Sequence, residues 1–294
     1  MSCLLEAKAR SIGYLAYKLL EGSHGAVGEV VNAFASTVNA RIGGELVILT
    51  FSKHRSPISI NLAYPRQGRD LDRLVKAGDP VIRKENTIIA GNLKISLEEA
   101  TLYFNSLKTT IDQALSTGTM SSALLVFQRD LAMVLELLEE VTEEVIGEAR
   151  QSIQYAINRL VKSIAETCSP QFIDPSSLLG LGQGFTPSSD DFLLGFIAAW
   201  NSFSKITREL YPILPSFLVN GRTHWVSRKL LENATRLNLL EPLDELLYDL
   251  IVRNSPSSAL NQALDIASIG HSSGIYILKG LLDGLRSAIA CTRN

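Results

Sequence analysis

Apolar and polar positions follow two different rhythms along this chain. Up to about residue 100 the apolar residues come in short runs rich in β-branched and aromatic side chains; beyond about residue 120 they recur at helical spacing. Val27–Phe34 and Glu45–Phe51 read as strands, and Gly43-Gly44 supplies a turn between extended segments. Pro57–Leu62 alternates apolar and polar residues, the period of a half-buried strand. Two further short strands are predicted around the turns Asp79-Pro80 and Glu85-Asn86, with a short helix over Asp70–Ala77. Ser96, followed by Glu98 and Glu99, has the chemistry of a helix start, for a helix running to about Leu115.

Ser116-Thr117-Gly118-Thr119 breaks the pattern, and the domain boundary is placed there. The expected fold class is α+β: a β-rich module over residues 1–118, as a small sheet or partial barrel, then a mainly helical domain over 119–294. Helices are expected from Ser121 to about Glu166 with a break at Gly147, and near Asp190–Phe203, Thr223–Thr235, Pro242–Val252, Ala259–Ile269 and Gly274–Ala290. Stripes such as Leu131, Val134, Leu135 and Leu138 read as core; Glu139-Glu140 and Glu143-Glu144 read as a solvated face.

Composition narrows the function classes. A net charge of −2 over 294 residues offers no basic field to hold a phosphate backbone, which argues against nucleic acid. The N-terminus lacks a signal-peptide pattern, because Leu4 and Leu5 are followed at once by Glu6, Lys8 and Arg10. The most apolar window, Phe192–Trp200, is about half of what a membrane span needs, so no membrane is expected and the location expected is cytoplasmic. Cys3, Cys168 and Cys291 are far apart, odd in number and without C-x-x-C spacing, which argues against a disulfide framework and a structural zinc site.

The least ordinary stretch is Gly180-Leu181-Gly182-Gln183-Gly184-Phe185-Thr186-Pro187-Ser188-Ser189-Asp190-Asp191. Alternate glycines permit positive φ and close backbone approach. Thr186 is expected as N-cap with Pro187 at the first helical position, and the acidic first turn suits the helix dipole. A plain cap needs one glycine at most, and the helix that follows is apolar all round and must be buried. Two carboxylates at its start then need partners inside the protein, or a ligand. The stretch is not a P-loop, since Phe185 stands where the lysine would be, and the turn-like Asp174-Pro175-Ser176-Ser177 stands where a dinucleotide fingerprint needs a strand. Asp190 and Asp191 would repel a bare phosphate unless a metal such as Mg²⁺ bridged them, and adjacent helical positions point about 100° apart, so at most one of the two is expected to lead.

Gly270-His271-Ser272-Ser273-Gly274 matches G-x-S-x-G, but no histidine follows Ser272, so a hydrolase triad is not expected. The better reading repeats the first loop: Gly270 ends one helix and Ser272 or Ser273 caps the next. If the two helix starts share a cleft, their amides and hydroxyls suit a carboxylate or phosphoryl group. The candidate residues are Asp190, Asp191 and His271 for chemistry, and Gly182, Gly184, Thr186, Ser188, Ser227, Ser272 and Ser273 for substrate binding.

The run G-L-G-Q-G-F-T-P-S-S-D-D-F-L-L-G resembles the signature of the family of the oxamate carbamoyltransferase small subunit (AllH-like), of anaerobic allantoin degradation. Weaker likenesses lie in Gly28-Glu29-Val30, Ser56-Pro57-Ile58-Ser59-Ile60, Ser227 and Ile269–Gly274. The family often has a smaller residue at Phe185, glycine at Ser189 and aspartate at Tyr276. The resemblance implies a transferase of several subunits that interconverts oxalurate plus phosphate with oxamate plus carbamoyl phosphate. Its partners would be a small anionic substrate and other enzyme subunits or further copies of the chain. The alternatives are a non-catalytic small-molecule-binding or assembly protein, and a metal-dependent hydrolase using Asp190, Asp191 and His271.

Overall fold

The computed structural model describes residues 4–63, 70–117, 151–219, 222–253 and 255–292. Its contacts gather the chain into two units, Met1–Asn105 and Ser106–Asn294, where the sequence expectation divides after Gly118. The expected fold class holds: a β-rich unit is followed by a mainly helical one.

In the first unit nine strands make one sheet: β1 (Leu5–Gly13), β2 (Gly25–Ala33), β3 (Thr37–Ile42), β4 (Glu45–Thr50), β5 (Ser59–Leu62), β6 (Pro80–Lys84), β7 (Thr87–Ala90), β8 (Leu93–Ser96) and β9 (Thr101–Tyr103). Their order is β5-β4-β3-β2-β6-β7-β8-β1-β9, and β5 also pairs antiparallel with β1, so the first eight strands close into a barrel-like ring. Its core gathers Ile12, Val30, Val38, Val47, Leu49, Ile60, Val81, Ile88 and Ile95, together with Ala16 and Leu20 of α1 (Tyr14–Leu20) and Leu71 of α2 (Leu71–Leu74). The helix expected from Ser96 is corrected. Ser96 ends β8, β9 follows, and α3 begins only at Ser106 and runs to Thr117. Asp244 decides that start, because its carboxylate accepts the Ser106 amide at 2.7 Å and the Leu107 amide at 3.3 Å.

The two weaker likenesses of the first unit have packing reasons. A side chain at Gly28 would place its Cβ 2.0 Å from the Arg41 carbonyl oxygen, so β2 and β3 approach closely there. Ser59 bonds Asn61 at 2.7 Å, and Asn61 in turn holds the carbonyls of Ser52 and His54 at 3.0 and 2.7 Å, fixing the loop before β5.

The second unit contains α4 (Gln151–Thr167), α5 (Ser188–Thr207), α6 (Trp225–Thr235), α7 (Glu241–Tyr248), α8 (Pro256–Ala267) and α9 (Ser273–Thr292). The expected break at Gly147, the apolar stripe at 131–138 and the acidic pairs at 139–144 lie outside the described residues. One expectation from composition fails outright: Cys168 and Cys291 form a disulfide, with Cα atoms 5.5 Å apart and 123 residues between them in sequence. Their separation hides the pairing, which only the packing of α4 against α9 creates. Among the described residues no helix is long and apolar enough to cross a membrane.

Helices α5 and α9 carry the site, and glycines set how they meet. A Cβ at Gly195 would fall 1.9 Å from the Ile277 carbonyl oxygen, one at Gly280 would fall 1.8 Å from that of Phe192, and one at Gly284 2.7 Å from that of Phe196. The contacts Phe192–Gly280 and Phe196–Gly284 advance by one turn along both helices, so the two run in the same direction, backbone against backbone. Their first turns therefore lie at the same end. Phe192, Phe196 and Trp200 are wholly buried along α5, as an apolar helix requires.

Candidate functional site

The chain enters the site through two short 3₁₀ turns, Pro170–Phe172 and Pro175–Ser177, the second capped by Asp174, which accepts the Ser176 amide at 2.9 Å. Gly180 then adopts φ +80 with the space for a Cβ occupied at 2.0 Å by the Arg222 carbonyl oxygen, so only glycine passes. Gly182, at φ +119, packs over the Ser188 amide, to which a Cβ would approach within 2.7 Å. Gly182, Gln183, Gly184 and Phe185 are exposed, and the Phe185 ring lies 5.5 Å from that of His224.

The helix start is displaced by one residue from the expected register. Pro187, extended at φ −55 and ψ 145, is the N-cap, and Ser188 is the first helical residue. Thr186 is not the cap: its hydroxyl is hydrogen-bonded to Asp191. A distant contact wins over the local signal, because the Leu181 carbonyl accepts both the amide and the hydroxyl of Ser189, at 3.1 and 2.8 Å. The Asp190 amide turns back to the Pro187 carbonyl at 2.8 Å. Of the first three helical amides, Ser188's alone has no protein acceptor among the described residues.

The adjacent carboxylates differ sharply. Asp190 is 2% exposed and filled by protein donors: one oxygen accepts the Gly180 amide at 2.8 Å, the other the Ser227 hydroxyl at 2.6 Å and the Thr223 hydroxyl. It latches the glycine loop and the start of α6 onto α5. Thr223 was not singled out from sequence; it precedes α6 in extended chain, and only the fold brings its hydroxyl beside that of Ser227. Asp191 is 5% exposed and bonded to Thr186 of its own loop and Ser273 of the other. Burial above all raises its pKa from 3.8 to about 7; the Asp190 charge adds to the rise, and the two hydroxyls oppose it.

Residues 184–191 and 270–274 thus come together, as two parallel helices require. Gly270 takes φ +63 after α8, the Gly274 amide bonds the Ile269 carbonyl at 3.0 Å, and the Ser272 carbonyl accepts the Tyr276 amide at 3.2 Å. The Tyr276 side chain, 7% exposed, is hydrogen-bonded to Ser188 across the two helices, and burial raises its hydroxyl pKa. Its spacing of three from Ser273 places both on one face of α9. His271 stands exposed beyond these bonds. What precedes Ser272 is helix α8, not the strand that a nucleophile elbow needs. For Mg²⁺ the fit is poor: Asp190 is already filled, and among the described residues no three His, Cys, Asp or Glu side chains gather as a metal set.

Fold and site define a two-unit α+β protein whose polar centre lies at the paired beginnings of parallel helices. Residues 178–285 match the family model described as oxamate carbamoyltransferase subunit AllH, so the resemblance read from the glycine-rich run is found again over the stretch that carries this centre. No curated protein and no solved structure matches the chain.

Proposed function

We propose that this chain is a subunit of a carbamoyltransferase-like enzyme, taking a small anionic substrate at the shared start of α5 and α9 with Asp191 as proton acceptor. One observation carries the reading: Asp191 is a buried carboxylate, held by one hydroxyl from each loop, with its pKa raised to about 7. In the transfer that the resemblance implies, the amide nitrogen of oxamate attacks the carbonyl carbon of carbamoyl phosphate. A C–N bond forms, the C–O bond to phosphate breaks, and the nitrogen sheds a proton. A carboxylate whose pKa lies near neutrality is a suitable acceptor for it. The Ser188 amide and the aligned dipoles of two helices favour negative charge at the same end. The donors to Asp190 and Asp191 named above are hydroxyls and an amide, so neutralising a phosphate falls to groups outside this set, on this reading to another subunit.

The test is carbamoyl transfer by the chain assembled with its partner subunits. Asp191→Asn should lower the rate by about 10²–10⁴-fold while the protein melts as a folded unit. A folded Asp191→Asn complex with the original rate would end this reading. A non-catalytic assembly role has one observation in its favour, namely that Ser189 and Asp190 direct their polar groups inward. On that view Asp191→Asn leaves transfer by the complex unchanged, and Asp190→Asn disrupts assembly instead.

A further inference from the structure

We propose that the Cys168–Cys291 bridge is a reversible redox staple that fastens the entry of the glycine-rich segment to the far end of α9. It goes beyond the function proposed above and does not depend on it. Between Thr167 and Ser188 the chain forms no α-helix, only the two short turns described above. Its downstream end is tied by Asp190 to the Gly180 amide and by Ser189 to the Leu181 carbonyl. Its upstream end is tied by the bridge, directly after α4. Cys168 sits at φ +50, an uncommon conformation for a residue with a side chain, which persists where its surroundings hold it. The helix on the other side of the bridge, α9, begins with Ser273 and Tyr276 of the candidate site and ends beside Cys291.

Both cysteines are half-buried rather than sealed in the core, so a small thiol reaches them. With dithiothreitol, one thiolate attacks a bridge sulfur to give a mixed disulfide, and the second thiol closes the ring. Two electrons and two protons pass to the protein, leaving Cys168 and Cys291 as thiols and the reagent as its cyclic disulfide. In a reducing compartment the staple is open, and in an oxidising one it is closed. Opening frees the upstream end of the segment and leaves the downstream ties to Ser189 and Asp190 in place.

The experiment uses the full chain, prepared with oxidised glutathione or with dithiothreitol, and reads alkylation mass, amide exchange over residues 169–181 and melting temperature. Of the three cysteines, the oxidised form should alkylate one and the reduced form all three. Reduction should speed exchange in 169–181 and lower melting by roughly 10 °C, as a long closed loop implies. Cys168→Ser should match the reduced form in both preparations. Three alkylated cysteines after oxidation, or equal exchange and melting in the two forms, would overturn the proposal. The wild-type comparison decides alone if the variant fails to fold.

Discussion

The two helix beginnings that meet at the candidate site are tied down to different degrees. The start of α5 is bound tightly to its own approach: Leu181 holds Ser189, Asp190 holds Gly180 and the segment from Thr223 to Ser227, and glycines fill places where a Cβ would strike backbone. The start of α9 shares the close packing, since a Cβ at Gly274 would fall 1.8 Å from the Ile266 carbonyl oxygen, but its loop is simpler, with a single positive-φ glycine at 270 and an exposed histidine beside it. One beginning supplies rigidity and the other supplies side chains, Ser273 and Tyr276, that reach across to it. A glycine-rich motif can therefore be mostly scaffold, with a single carboxylate of it facing a second loop.

The sharpest way to break this contrast is pH. The pKa of Asp191 is raised on folding, so its contribution favours the folded state below about pH 4 and is lost as pH rises through about 7. Asp191→Asn should abolish that slope, gaining up to about 4 kcal/mol relative to wild type between those limits in denaturant melts. Parallel slopes would mean that Asp191 is not the strained partner. Next comes the packing that brings the beginnings together: Gly280→Ala should cost about 3 kcal/mol, because its Cβ would meet backbone rather than a yielding side chain. Asp190→Asn should cost about 1–3 kcal/mol in the same melts by leaving buried donors poorly answered, and proteolysis near Gly180 should speed up. His271→Ala, at an exposed position, should stay within about 0.5 kcal/mol. A larger loss there would show that the simpler loop is tied down as firmly as the other.

What could be read from the sequence follows the range of the forces involved. The buried character of α5 and the approximate places of α5 to α9 were legible, because periodicity and glycine punctuation are local. The register of the α5 start was not. Thr186-Pro187 carries a sound local capping signal, but the Leu181 carbonyl and Asp191 lay competing claims on the same groups. Strand β1 escaped notice because Ala7 and Ala9 give weak alternation beside Glu6, Lys8 and Arg10. The disulfide was misjudged for the same reason that Thr223 was overlooked: partners far apart along the chain announce themselves only once the helices have packed.

The closure of the sheet bears on how further subunits can attach. Among the described residues eight strands bond to one another around the ring, and β9, three residues long, is the one strand set outside it. Sheets left open invite foreign strands to dock by backbone hydrogen bonds. Here that invitation is nearly withdrawn, so any companion of the first unit must recognise its side chains, where charge and shape give selectivity that bare peptide groups do not.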